Sequence, residues 1–430
     1  MPMQKLELMT LNGNHDFMKR TLIKNIGQLI TISQKGNMRG NILGAMNDIS
    51  LIRDAAMICT DTVEWIGPNS NIPFESEIDT VIDISGKTIL PGFVDSHTHC
   101  VFAGDRSDEF ARRLRGISYT QIASEGGGIL KTVSSVRNAS IEQLAEKGVM
   151  LAHEAIAHGT TTLEMKSGYG LSSESEIALL KAIDMVRKEV PIRIISTFMG
   201  AHDFPPEYKE DHNGYVHLLI NEMLPMVKEL GLAEFCDVFT DTGYFTIEDS
   251  IRILEAASSL GFKLKVHADE LSAFCAAEMA GNMNAVSADH LLYCSEDGML
   301  SMRNSGTVAT LLPGTAYTLR LPYAPARTMI ENGLIVALAS DCNPGSCYTP
   351  NMQMILSLAC MNMGMSIEEA LTASTLHGAI AVCREHECGS IEVGKSADFV
   401  VLDTNSYADI VYHFGVNHVE QTWSMGKRVH

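Results

Sequence analysis

His97 and His99 stand two positions apart in Asp95-Ser96-His97-Thr98-His99. On an extended chain such residues point to the same side, so both imidazoles can reach one ion. His267 begins His267-Ala268-Asp269-Glu270, His290 follows Asp289, and Asp341 precedes Cys342-Asn343-Pro344-Gly345. His97, His99, His267 and Asp341 together make a donor set for one divalent metal ion, with room left for a water. Hydrolysis at such an ion also needs proton transfer. Glu270 sits three residues beyond His267, close enough to reach a substrate proton without competing for the ion. His290 can hold the water or steady an oxyanion, and Asp341 can accept a proton while remaining a ligand. Each residue also has a plainer reading: an isolated H-x-H pair, Glu270 as a solvated helix start, His290 as a packed core residue, Asp341 as an N-cap. Only their joint placement, at the ends of separate β-prone runs, points to a metal site.

Those runs are eight: 89–95, 160–166, 193–199, 236–241, 263–268, 285–290, 307–313 and 334–341. Helix-period segments lie between them or follow them, among them SIEQLAEKGVMLAHEAIAHG, ESEIALLKAIDMVRKEV, TIEDSIRILEAASSLG and SIEEALTASTLHGAIAV. Eight strands alternating with helices predict an α/β chain whose main body is a (β/α)₈ barrel. In such a barrel chemistry belongs at the C-terminal strand ends and branched apolar residues in the strand interiors. Short β-like runs before residue 89, together with GSIEVGKSADFVVLD and HVEQTWSMGKRV after the barrel, predict a small β-sandwich built from both chain ends. The expected organisation is an extension at 1–21, a composite sandwich of 22–88 and 389–430, and a barrel over 89–388.

Composition narrows the partners. With 32 Lys+Arg against 52 Asp+Glu the formal charge is −20, and no basic run offsets it, so nucleic acid is not an expected partner. No segment reaches the roughly 18 continuous apolar residues of a membrane span. The first twenty residues lack the apolar stretch of a secretory signal. Ten cysteines without a C-x-x-C pair suit reduced thiols, and the expected location is the cytoplasm. Cys383, His386 and Cys388 make an incomplete metal knuckle and read as an ordinary connection.

The string Leu90-Pro91-Gly92-Phe93-Val94-Asp95-Ser96-His97-Thr98-His99 resembles a motif of the metal-dependent amidohydrolase superfamily, and GSIEVGKSADFVVLD is similar to its returning strand. VFAGDRSDEF, SEGGGI, EMKSGYGL, TFMGAHDFPPEY, KVHADE, SADHL, LLPGTAY and SDCNPGS resemble one branch of it, in colinear order over residues 22–430. That branch opens the ring of a small-molecule substrate, 4-imidazolone-5-propanoate, to N-formimidoyl-L-glutamate in histidine breakdown. The resemblance implies one Zn²⁺ or Fe³⁺ ion on His97, His99, His267 and Asp341. It implies substrate contacts from Arg106, Tyr169, His202, Glu270, Asn343, Gly345 and Ser346. Arg106 is suited to the propionate as a bidentate partner. A homodimer is common in the superfamily. A deaminase of a heterocyclic base would use the same ligands, and a non-catalytic scaffold would keep the barrel alone. Cys100 and Cys342 depart from the usual pattern beside two ligands, with packing changes as the expected effect.

Overall fold

A computed structural model describes residues 19–33, 45–73, 78–118, 121–122 and 125–430. Most of the expected extension, residues 1–18, lies outside them.

The chain begins with β1 (Thr21–Ile30), β2 (Leu51–Cys59), β3 (Val63–Pro68), β4 (Thr80–Asp83) and β5 (Thr88–Pro91). The barrel strands follow as β6 (Phe93–Asp95), β7 (Thr160–Lys166), β8 (Arg193–Ala201), β9 (Phe235–Thr240), β10 (Lys263–Ala268), β11 (Ser287–His290), β12 (Val308–Leu311) and β13 (Val336–Leu338). The chain ends with β14 (Phe399–Leu402), β15 (Val419–Ser424) and β16 (Lys427–Arg428).

Both chain ends build one mixed sheet. β1 pairs antiparallel with β2 and parallel with β4 and β5, and β5 in turn pairs antiparallel with β14. Its alternating apolar side chains, including Ile23, Ile26, Leu29, Met57, Ile89 and Phe399, bury a core separate from that of the barrel. Trp423 stacks on Phe399 with ring centroids 5.3 Å apart.

The run 89–95 proves to be two strands in two sheets. Thr88–Pro91 belongs to the mixed sheet and Phe93–Asp95 to the barrel. Gly92 makes the crossing, and a Cβ there would lie 2.2 Å from Thr161 Oγ1, so only glycine fits.

β6 to β13 pair in chain order, every neighbouring pair parallel, with helices between them. Four of the helices start at Ser140, Ser172, Thr246 and Ser295, whose hydroxyls accept a backbone N–H three residues on. The expected helix over 366–382 is instead two, Ile367–Ala373 and Leu376–Ala381. Ser374 and Thr375 both turn their hydroxyls to Leu371 O, competing with the helical ladder. The Ser374 carbonyl is left to accept from Val94 N–H at 2.9 Å.

The barrel closes just beyond the strands. Thr98 bridges Cys342, with Asp341 N–H donating to His97 O at 3.0 Å and His99 N–H to Cys342 O at 2.9 Å. One turn below, Asp95 accepts from Ser340 N–H at 2.9 Å and from its hydroxyl. The residues that close the barrel are therefore neighbours in sequence of the candidate ligands. Among the described residues no helix is long and apolar enough to cross a membrane.

Candidate metal centre and active site

All four candidate ligands project from C-terminal strand ends and are buried. Asp341 Oδ1 lies 3.5 Å from His97 Nε2 and 3.7 Å from His99 Nε2. The rings of His97 and His267 are 4.5 Å apart between centroids, and those of His267 and His290 are 5.1 Å apart. Two donor clusters result, His97 with His99 and Asp341, and His97 with His267 and His290, each with its donor atoms within 4.8 Å of one another. Asp269, His290 and Asp341 take positive φ angles of 49°, 79° and 52°, strained backbone of the kind that gathers at functional sites.

The donor chemistry fits a metal ion. His97 gives its Nδ1–H to Asp289 Oδ2 at 2.6 Å, and His267 gives its own to Asp237 Oδ1 at 3.1 Å. Each is thereby fixed as the tautomer whose Nε2 is a lone-pair donor. His97 Nε2 is buried with no hydrogen-bond partner, as a ligand atom should be. Burial first holds His97, His99 and His290 well below the usual histidine range, followed by Lys166 for His97 and by a neighbouring imidazole for the other two. They are neutral, the form that binds metal. Burial raises Asp341 to about 6 against the Thr315 hydroxyl that donates to it.

A third cluster, His97 with Asp237 and Asp289, lies on the far side of the His97 ring. Lys166 and Lys265 already neutralise it, at 2.8 Å from Asp237 and 3.7 Å from Asp289 respectively.

Above the candidate ligands opens a cleft. His99, His267, His290, Asp341 and Glu270 line it together with Arg106, Tyr169, His202, Asn343 and Ser346. Of the expected site residues, only His97 and Gly345 are outside the lining, the first beneath it and the second behind Arg106. Glu270 Oε2 lies 3.5 Å from His290 Nε2. Burial, followed by the charges of Asp341 and Asp241, pushes the Glu270 carboxyl well above the usual range. His202 stacks on His99 with centroids 5.0 Å apart and donates its Nδ1–H to Gly168 O at 2.9 Å. Asn343 Oδ1 accepts from Gly345 N–H and Ser346 N–H, which sets the turn.

Sequence reasoning missed several contributors. Glu109 holds Arg106 Nε at 2.8 Å, and the i,i+3 spacing of the two was the available signal. The expectation of apolar strand interiors is corrected outright, because Glu164, Lys166, Asp237, Lys265 and Asp289 are fully buried inside the barrel. They are tolerated there because they pair with one another. Cys342 is buried against Cys100, whose hydrogen bond, with burial, raises its thiol pKa. Cys388 packs on Thr162 Oγ1 at 3.6 Å under the barrel.

The model of the amidohydrolase family matches residues 88–429. The imidazolonepropionase of Alkaliphilus oremlandii is 45% identical over 411 residues, 95% of this chain and 97% of that protein. The imidazolonepropionase of Symbiobacterium thermophilum is 46% identical over 414 residues, 95% and 96% of the two chains. Among solved structures, a zinc-bound adenosine deaminase from Xanthomonas campestris superposes with a TM-score of 0.70 at 17% identity, over 95% of this chain and 92% of that one. The guanine deaminase of E. coli gives 0.72 at 16% identity, over 96% and 99%. At those identities the two deaminases share the fold alone. Near-full-length identity at 45–46%, carried by a chain whose buried histidines and aspartate meet at the barrel mouth, places it in the amidohydrolase family and, within that family, among the imidazolonepropionases.

Proposed function

We propose that the cleft opens the imidazolone ring of 4-imidazolone-5-propanoate over one Zn²⁺ or Fe³⁺ ion held by His97, His99, His267 and Asp341. The enzyme is a hydrolase of a cyclic-amide C–N bond, yielding N-formimidoyl-L-glutamate in histidine breakdown. When bound, the ion supplies Lewis acidity and an acidified water; imidazole and carboxylate donors suit either metal.

The protein's own groups do the rest. His290 and Asp341 flank the space over the ligands, where they orient the attacking water, and Asp341 accepts its proton. Glu270, whose burial favours the protonated carboxyl, delivers a proton to the ring nitrogen as the C–N bond breaks. Arg106 pairs with the propionate, Tyr169 offers its hydroxyl, and His202 and the Asn343–Ser346 turn complete the pocket.

The observation that carries this reading is the convergence of a buried arginine and the His/Asp cluster on one cleft. A propionate can add a charge-assisted pair to Arg106 beside the one it makes with Glu109, which a neutral nucleobase cannot. Stripping the protein with a chelator should abolish ring opening, and stoichiometric Zn²⁺ or Fe³⁺ should restore it; full turnover by the stripped protein contradicts the reading. Ammonia release from nucleobases would support a deaminase instead.

Gly345 provides a sharper test of the anchor. A Cβ there would lie 2.2 Å from Arg106 Nη1, so Gly345→Ala displaces the guanidinium. The expected result is a roughly 10- to 100-fold rise in KM with metal content unchanged, measured by steady-state kinetics.

We also propose that the ten unpaired thiols belong to a reducing compartment, the cytoplasm. The domain boundaries we propose shift from the expected 22–88 and 89–388 to 21–91 with 389–430 for the small β domain and 93–388 for the barrel, because Thr21 opens β1 and Thr88–Pro91 pairs in the mixed sheet.

A further inference from the structure

Beneath the site, the barrel interior holds one ammonium group among three carboxylates. Lys166 Nζ is 2.8 Å from Glu164 Oε1, 2.8 Å from Asp237 Oδ2 and 4.0 Å from Asp289 Oδ2, and all four side chains are fully buried. Each carboxylate runs on to a candidate ligand or to the residue between two of them. Asp237 Oδ1 takes the Nδ1–H of His267 at 3.1 Å, and Asp289 Oδ2 takes that of His97 at 2.6 Å. Glu164 Oε2 accepts Thr98 N–H at 3.1 Å, between the two histidines of the first barrel strand. The backbone of Lys166 adds a bond to the same residue, its N–H donating to Thr98 O at 3.0 Å. Lys166 itself does not line the cleft.

Filling a core with an ion cluster is costly, and apolar residues of the same volume usually serve stability as well or better. What an ammonium can do there, and a methyl group cannot, is hold several carboxylates at set positions. Those carboxylates fix the tautomer and ring orientation of the imidazoles they touch. Lys265, likewise fully buried, donates to Ser287 Oγ and Ala381 O, so it is anchored mainly to neutral groups at a lower level. Burial opposes the charge on Lys166, but Asp237, Glu164 and Asp289 more than offset it and raise its pKa above the usual lysine value.

We propose that Lys166 is a positioning residue of the metal centre: it holds Asp237 on His267, Asp289 on His97 and Glu164 on Thr98, so that the histidine donors converge. The inference rests on the reading of His97 and His267 as ligands.

The test uses the full chain, stripped of metal and titrated with Co²⁺, whose d–d absorption bands report the ligand arrangement. Wild type should take up one equivalent. Lys166→Met should keep the wild-type far-UV circular dichroism, bind Co²⁺ roughly 10- to 100-fold more weakly and show shifted bands. Unchanged affinity and bands overturn the proposal, and so does a lower melting temperature with Co²⁺ affinity and bands intact, which would assign Lys166 to packing alone. If Lys166→Met does not fold, Asp237→Asn takes its place. Weaker binding with shifted bands is again expected, and wild-type binding again overturns the proposal. A wild-type chain that takes up no Co²⁺ overturns the ligand reading and this inference with it, an outcome told apart by the wild-type titration itself.

Discussion

Glu270→Gln should lower kcat by about 10²- to 10⁴-fold, the usual contribution of a positioned general acid. The substitution keeps the shape of the side chain and removes the proton it delivers. Because Glu270 is not in the donor set, metal content should equal that of wild type, and KM should change little. Steady-state kinetics with metal analysis on the same preparation reads both. A kcat within a few-fold of wild type would assign the proton transfer to another group lining the cleft, His290 or Asp341.

Arg106→Met should raise KM with metal content intact. Removing one partner of a buried, hydrogen-bonded charge pair costs about 2–5 kcal/mol, roughly 30-fold or more in kcat/KM. The effect should fall on substrates with a carboxylate and leave an imidazolone lacking the propionate side chain unaffected. Equal losses on both compounds would show that Arg106 shapes the pocket without binding the anion. A fall in melting temperature is expected alongside, because Glu109 loses the guanidinium it holds at 2.8 Å.

The candidate ligands were legible because barrel chemistry sits at strand ends, where a histidine or aspartate interrupts an otherwise apolar run. His97, His99, His267 and Asp341 all stand out in this way; His97, His99 and Asp341 share one donor cluster, and His267 joins His97 and His290 in the next. Arg106 and the Asn343–Ser346 turn were different: only the resemblance singled them out, since an arginine in DRSDEFARRLRG reads as a solvated charge. Its burial depends on Glu109 and Gly345, which no local pattern reveals.

The layer beneath the ion was missed for a related reason. In Thr160–Lys166, Thr162, Glu164 and Lys166 share one face, and a period-two pattern assigns such a face to solvent. A barrel has no solvent face on its inner side, so the same alternation here marks a buried polar interior. The passage from β5 to β6 was hidden in the same way: the apolar run 89–95 is continuous in the sequence and changes sheet at Gly92. Pro91-Gly92 was the only local sign of it.

The most direct measurement is to incubate metal-analysed protein with freshly generated 4-imidazolone-5-propanoate and follow the ring absorbance. The expected result is rapid loss of absorbance with stoichiometric N-formimidoyl-L-glutamate, dependent on bound metal. Persistence of the ring absorbance in the presence of fully metal-loaded protein would contradict it.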